Sequence, residues 1–91
     1  MISIIIPAYN EEKSIRDVIE GIRRAMEQRL SSIQYEIIVV DDGSTDRTAS
    51  IARSTGFVRV ISHERCRGVG SARMNGVTHA RGDQVVFIDG D

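Results

Sequence analysis

The chain lacks most of the features that would place it quickly. Its 91 residues include one cysteine, Cys66, which excludes an internal disulfide and fits a reducing compartment. A nucleophilic thiol needs a base and an electropositive setting. The sequence marks neither, so Cys66 reads as a small, partly buried side chain. There is no surplus of basic charge: 12 Lys and Arg stand against 13 Asp and Glu, for a net charge of −1. That balance argues against a nucleic-acid footprint or a polybasic membrane patch. No apolar run approaches the ~20 residues that span a bilayer. Met1-Ile2-Ser3 enters an apolar stretch without the basic segment of a signal peptide. A soluble, cytoplasmic chain is expected. There is no internal repeat, linker or low-complexity segment, and the length allows one domain, residues 1–91.

What the chain does have is a regular alternation. Short β-branched runs at 2–6, 35–40, 57–62 and 84–88 read as strands. Their continuous apolar character suits parallel strands covered on both faces. Pro7 is expected to end the first, because proline cannot donate to a ladder. Between the strands lie helical patterns at about 11–30, 47–54 and 68–80. Asn10 is the expected N-cap of the first. Ile15, Val18, Ile19, Ile22, Met26 and Leu30 form its apolar stripe. Thr45 or Asp46 would cap the second, and Gly56 would close it. In the third, Val69, Ala72, Gly76, Val77 and Ala80 would face inward. The order β-α-β-α-β-α-β with short connections implies right-handed crossovers. The expected fold is α/β: a three-layer, mostly parallel Rossmann-like sheet with helices on both faces.

In such sheets ligands bind at the carboxyl ends of the strands, where the strand order reverses. Those ends carry Pro7-Ala8-Tyr9-Asn10-Glu11, Asp41-Asp42-Gly43-Ser44, His63-Glu64-Arg65 and Asp89-Gly90-Asp91. Taken singly, each reads as an ordinary turn or helix start. Together they place several carboxylates in one crevice, with Arg65, Arg67 and Arg73 nearby. Carboxylates can accept from ribose hydroxyls and base N–H groups and can ligate a divalent cation held against a diphosphate, with arginine completing the phosphate clamp. Gly68-Val69-Gly70-Ser71-Ala72-Arg73 is not a dinucleotide fingerprint. Arg73 stands where the third glycine should be, and the segment follows the third strand instead of the first. No G-x-x-x-x-G-K-[ST] segment exists, which excludes a P-loop enzyme.

Four stretches in register, Pro7 to Glu12, Val39 to Asp46, Gly68 to Gly76 and Phe87 to Asp91, resemble the amino-terminal half of family 2 glycosyltransferases of GT-A fold. Glu11-Glu12 leans toward the polyprenyl-phosphate (dolichol-phosphate) mannosyl- or glucosyltransferase branch. The resemblance covers the whole chain and implies a metal-dependent enzyme. It would transfer a hexose from a UDP- or GDP-sugar to an acceptor such as a polyprenyl phosphate at the cytoplasmic face of a membrane. Pro7, Ala8, Tyr9 and Glu11 would line the base and ribose. Asp41, with Asp42 beside it, would bind the base. Arg73 would sit near the base or phosphates. Asp89 would lie near the ribose and, with Asp91, form a D-x-D motif for Mg2+ or Mn2+. The chain departs from the family in carrying Cys66-Arg67-Gly68 in place of Asn-x-Gly, and Met74 in place of the asparagine after Ala-Arg. The catalytic base is expected beyond residue 91, so these residues alone would hold the donor with little or no turnover. The alternative is a truncated, non-catalytic nucleotide-binding or assembly module. In either reading the open sheet edge would make a homo-oligomer.

Overall fold

The Ile- and Val-rich runs form the strands of one parallel sheet. In a computed structural model describing residues 1–91, the elements are β1 (Ile2–Ala8), α1 (Ile15–Arg29), β2 (Tyr35–Asp41), α2 (Thr48–Ser54), β3 (Arg59–Ser62), α3 (Val69–His79) and β4 (Gln84–Phe87). The strand order is β3-β2-β1-β4. The chain steps outward twice, then returns across β2 and β1 to place β4. The order therefore reverses between β1 and β4.

Strand alternation divides the core into two layers. Ile4, Ile6, Ile37 and Val39 pack with Ile15, Ile19 and Met26 of α1 and Ala52 of α2. Ile5, Ile38 and Val40 pack on the opposite face with Ala72 of α3. Both faces of β1 and β2 are thus covered, which is why their sequences are apolar without a polar alternation.

Several local expectations give way to longer-range contacts. Pro7 does not end β1, which runs on to Ala8 with Pro7 opposite Val40. The even-numbered residues of β1 bond toward β2, as Ile2 N–H does to Gln34 O, while the odd ones face β4. The last bond on the β4 side is Ile88 N–H to Ile5 O. The position where Pro7 lacks a donor therefore lies past the end of that ladder, and the proline costs nothing. Asn10 is not a cap. Helix α1 begins at Ile15 behind Ser14, and Asn10 has φ +52. Leu30 lies outside α1 and is exposed, as are Val69 and Val77 on α3. Phe57 and Val58 precede β3 instead of opening it. Gly56 does follow the C-cap of α2, with φ +86. The largest departure is β4. It reads as a buried strand, yet every residue in it is exposed, with Val85, Val86 and Phe87 at 37, 43 and 45%. It is an edge strand with little layered over it. No helix is long and apolar enough to cross a membrane.

Candidate functional site

The loops leaving β1 and β2 are tied together by their own polar side chains. Asn10 N–H donates to Ser44 Oγ at 2.9 Å, and Asn10 Oδ1 accepts from Thr45 N–H at 2.8 Å. Glu11 N–H donates to Thr48 Oγ1 at 2.9 Å. Asp46 accepts from Glu12 N–H and from the amide and hydroxyl of Thr48. Neither Thr45 nor Asp46 is the N-cap of α2: that position is Arg47, and Asp46 ties down the first helical residue from one position before it. The left-handed backbone at Asn10 aims both its amide and its side chain at this neighbour loop. Asparagine is one of the few residues that adopts that geometry readily.

Asp41 and Asp42 are adjacent, so the pleat sends them to opposite faces. Asp41 faces the α1–α2 side, where its Oδ1 accepts from Ser44 N–H at 3.2 Å. Asp42 faces α3 and gathers four donors from the loop after β3. Oδ1 accepts from His63 Nδ1 at 2.8 Å and Arg67 N–H at 2.9 Å. Oδ2 accepts from Gly68 N–H at 2.9 Å and the Cys66 thiol at 3.3 Å. Burial acts to raise the Asp42 carboxyl, but these donors outweigh it and hold it below its ordinary range. An ionised carboxylate only accepts, so His63 carries its proton on Nδ1. Its Nε2 then accepts from Asn75 Nδ2 of α3, 2.8 Å away. Gly43, at φ +76, lies under the same loop, and a Cβ there would collide with the backbone of Arg65 and Cys66.

These ties build one open cavity of about 420 Å³ at the carboxyl end of the sheet. Pro7, Ala8, Tyr9 and Glu11 form the β1 wall. Asp42, Cys66, Gly68 and Ala72 form the wall toward α3. Asp89, Gly90 and Asp91 close the third side. The cavity lies over the β1–β4 reversal, where open α/β sheets bind ligands. Two of the expected site residues lie outside its lining. Asp41 is turned away by the pleat. Arg73 is exposed on α3 with its guanidinium 5.8 Å from the centre of the Phe87 ring, a cation–π contact that covers part of β4. Sequence reasoning missed the bond between His63 and Asn75. The two residues are 12 apart on different elements, and no spacing rule links them.

Asp89 and Asp91 are exposed and border the cavity. No three His, Cys, Asp or Glu side chains converge as a ready metal cage. Mg2+ and Mn2+ are hard cations that suit carboxylate oxygens, and Mg2+ commonly binds through one or two carboxylates plus ligand phosphates and water. Two free aspartates beside an open cavity fit that pattern.

Residues 3–91 match the family model for glycosyl transferase family 2. Dolichyl-phosphate beta-glucosyltransferase of Mus musculus is 36% identical over 99% of this chain, which spans 31% of that protein. Glucosyl-3-phosphoglycerate synthase from Mycobacterium tuberculosis, solved with Mn2+, UDP and phosphoglyceric acid, superposes with a TM-score of 0.81 at 38% identity, over 100% of this chain and 33% of that one. A mannosyltransferase from Pyrobaculum calidifontis, solved with GDP-Man and Mn2+, gives a TM-score of 0.85 at 30% identity, over 99% of this chain and 27% of that one. The chain thus spans about a third or less of the proteins it resembles.

Proposed function

The chain belongs to glycosyl transferase family 2, and from that premise we propose that its 91 residues form the donor side of a metal-dependent transferase. The donor is a UDP- or GDP-hexose, and the acceptor of the whole enzyme is a polyprenyl phosphate, handled at the cytoplasmic face of a membrane. The observation that carries this reading is the cavity over the β1–β4 reversal. It brings Tyr9 and Glu11 at the end of β1 opposite the free carboxylates of Asp89 and Asp91. Tyr9, 45% exposed, offers a face for the nucleotide base. Glu11 offers acceptors to the ribose. Asp89 and Asp91 would hold Mg2+ or Mn2+, which neutralises diphosphate charge when bound. Asp42 sets the opposite wall by fixing the loop that runs into α3. Arg67 and Arg65, both exposed on that loop, supply cationic groups beside it.

Calorimetric titration with UDP and GDP, with and without Mn2+, tests the reading. One nucleotide is expected to bind at least about tenfold more tightly with the metal, the equivalent of ~1.4 kcal/mol. Asp91→Ala should abolish that gain. Binding that ignores Mn2+, or a gain that survives in Asp91→Ala, would overturn the assignment. Sugar transfer by these residues alone is expected to be negligible.

The exposed edge supports a second element of the proposal. The outer side of β4 has no strand partner, and its apolar residues are open to solvent. Edges of this kind pair with other strands. A second copy joined through β4 is the occupant proposed, and sedimentation equilibrium should show a dimer forming as concentration rises. A monomer mass at every concentration would refute it.

A further inference from the structure

Ser14 is the N-cap residue of α1. A serine there ordinarily accepts a hydrogen bond from an amide of its own helix. Ser14 makes no such bond. Its Oγ donates instead to the carbonyl oxygen of Gly90, 2.7 Å away and 76 residues later in the chain. The competing acceptor, Glu11 Oε2, is at 3.4 Å, so the single hydroxyl proton goes to Gly90. Beyond Ile88, whose N–H donates to Ile5 O, the Ser14 contact is the one hydrogen bond that holds residues 89–91. The fit is also steric. Gly90 is buried, and a Cβ on it would lie 3.2 Å from Ala8 Cβ, 3.3 Å from Glu11 Cγ and 3.4 Å from Pro7 O. A capping side chain that abandons its own helix breaks a local rule, and such breaks cluster where a site gains from them.

We infer that Ser14 is a positioning residue for the metal-binding aspartates. Its hydroxyl pins the Gly90 peptide against the end of β1, and so sets the spacing and direction of Asp89 and Asp91 on either side. The inference rests on the donor-site reading above, and the experiment separates the two. Nucleotide titrations with and without Mn2+ are run on the unaltered chain, Ser14→Ala and Ser14→Thr, with the melting temperature of each recorded. Ser14→Ala should weaken Mn2+-dependent binding about five- to tenfold, the scale of one lost hydrogen bond, while metal-free binding stays within about twofold. Ser14→Thr keeps the hydroxyl and should restore the metal-dependent gain. A structural role alone would lower both kinds of binding together, and that result would overturn the inference. So would a Ser14→Ala chain that keeps the full gain. An unaltered chain with no metal dependence would defeat the donor-site reading itself and this inference with it.

Discussion

Two pairs of aspartates close two strands of one sheet, and they are used in opposite ways. Asp41 and Asp42, at the end of β2, are 5 and 4% exposed and accept hydrogen bonds from the loops around them. Asp89 and Asp91, after β4, are exposed, and their carboxylates accept none. The cause is position in the sheet. β2 lies between β1 and β3, and its own turn and the loop after β3 deliver amides, a thiol and an imidazole to its end. β4 is an edge, and the segment after it is met by the end of β1 and by Ser14, the N-cap of α1. Within these residues the carboxylates at the end of the central strand are bonded to the scaffold, and those after the edge strand are not. An acidic strand end in a sequence does not say which it is. The number of donors that the fold brings to it does.

The largest expected consequence is at Asp42. Asparagine in its place keeps one acceptor but sets an NH2 group against two of the four donors, leaving them without their acceptor. Asp42→Asn should cost about 3 kcal/mol in urea unfolding, within the range for breaking a buried charged hydrogen-bond network. On a domain of this size that lowers the melting temperature by roughly 12–24 °C. A loss below about 1 kcal/mol would show that the donors around Asp42 find other partners and that the contrast with Asp91 is superficial.

Glu36 extends the contrast to the opposite end of the sheet. It faces Ser3 in the β1–β2 register and accepts from the Ser3 hydroxyl at 2.6 Å, Arg59 at 2.8 Å and Arg81 N–H at 2.6 Å. Burial works to raise its carboxyl, but these donors prevail and lower it from 4.5 to about 2. The folded state thus holds the proton more weakly than the unfolded chain does. Its contribution to stability is complete above pH 4.5 and is lost as pH falls toward 2. The loss should be about 2 kcal/mol, below what the full shift would give because solvent screens the site. Glu36→Gln should flatten the stability profile across that window. An unchanged acid limb would mean that the donors around Glu36 do not favour its charged form.

The order of elements was legible because it depends on short-range pattern: Ile and Val runs for strands, Ile15, Ile19 and Met26 for the buried stripe of α1, and Gly56 after α2. The cavity was legible in outline because parallel α/β topology sends every strand end to one side. What stayed hidden depends on partners distant in sequence. Pro7 is harmless only because β4 stops short of it. Asn10 is a latch only because Ser44 and Thr45 arrive opposite. Whether Asp41 or Asp42 faces the cavity is decided by a pleat whose phase the loop residues do not reveal. Arg73, expected at the ligand, finds the exposed ring of Phe87 first. That ring is open because β4 is an edge, which its apolar run Val85-Val86-Phe87 gave no reason to expect.

The smallest expected effect tests the comparison from the other side. Asp89→Asn and Asp91→Asn each remove a charge that no group in the chain pairs with, and each keeps nearly the same volume. No buried donor loses its acceptor, and no cavity opens. Both substitutions should leave unfolding free energy within about 0.5 kcal/mol of the unaltered chain, as for surface changes away from any network. Chemical denaturation of each, run beside Asp42→Asn, measures the difference directly. A destabilisation of Asp91→Asn comparable to that of Asp42→Asn would mean that the edge aspartates also hold the fold. The free carboxylates would then lose their distinction as the pair available to a cation.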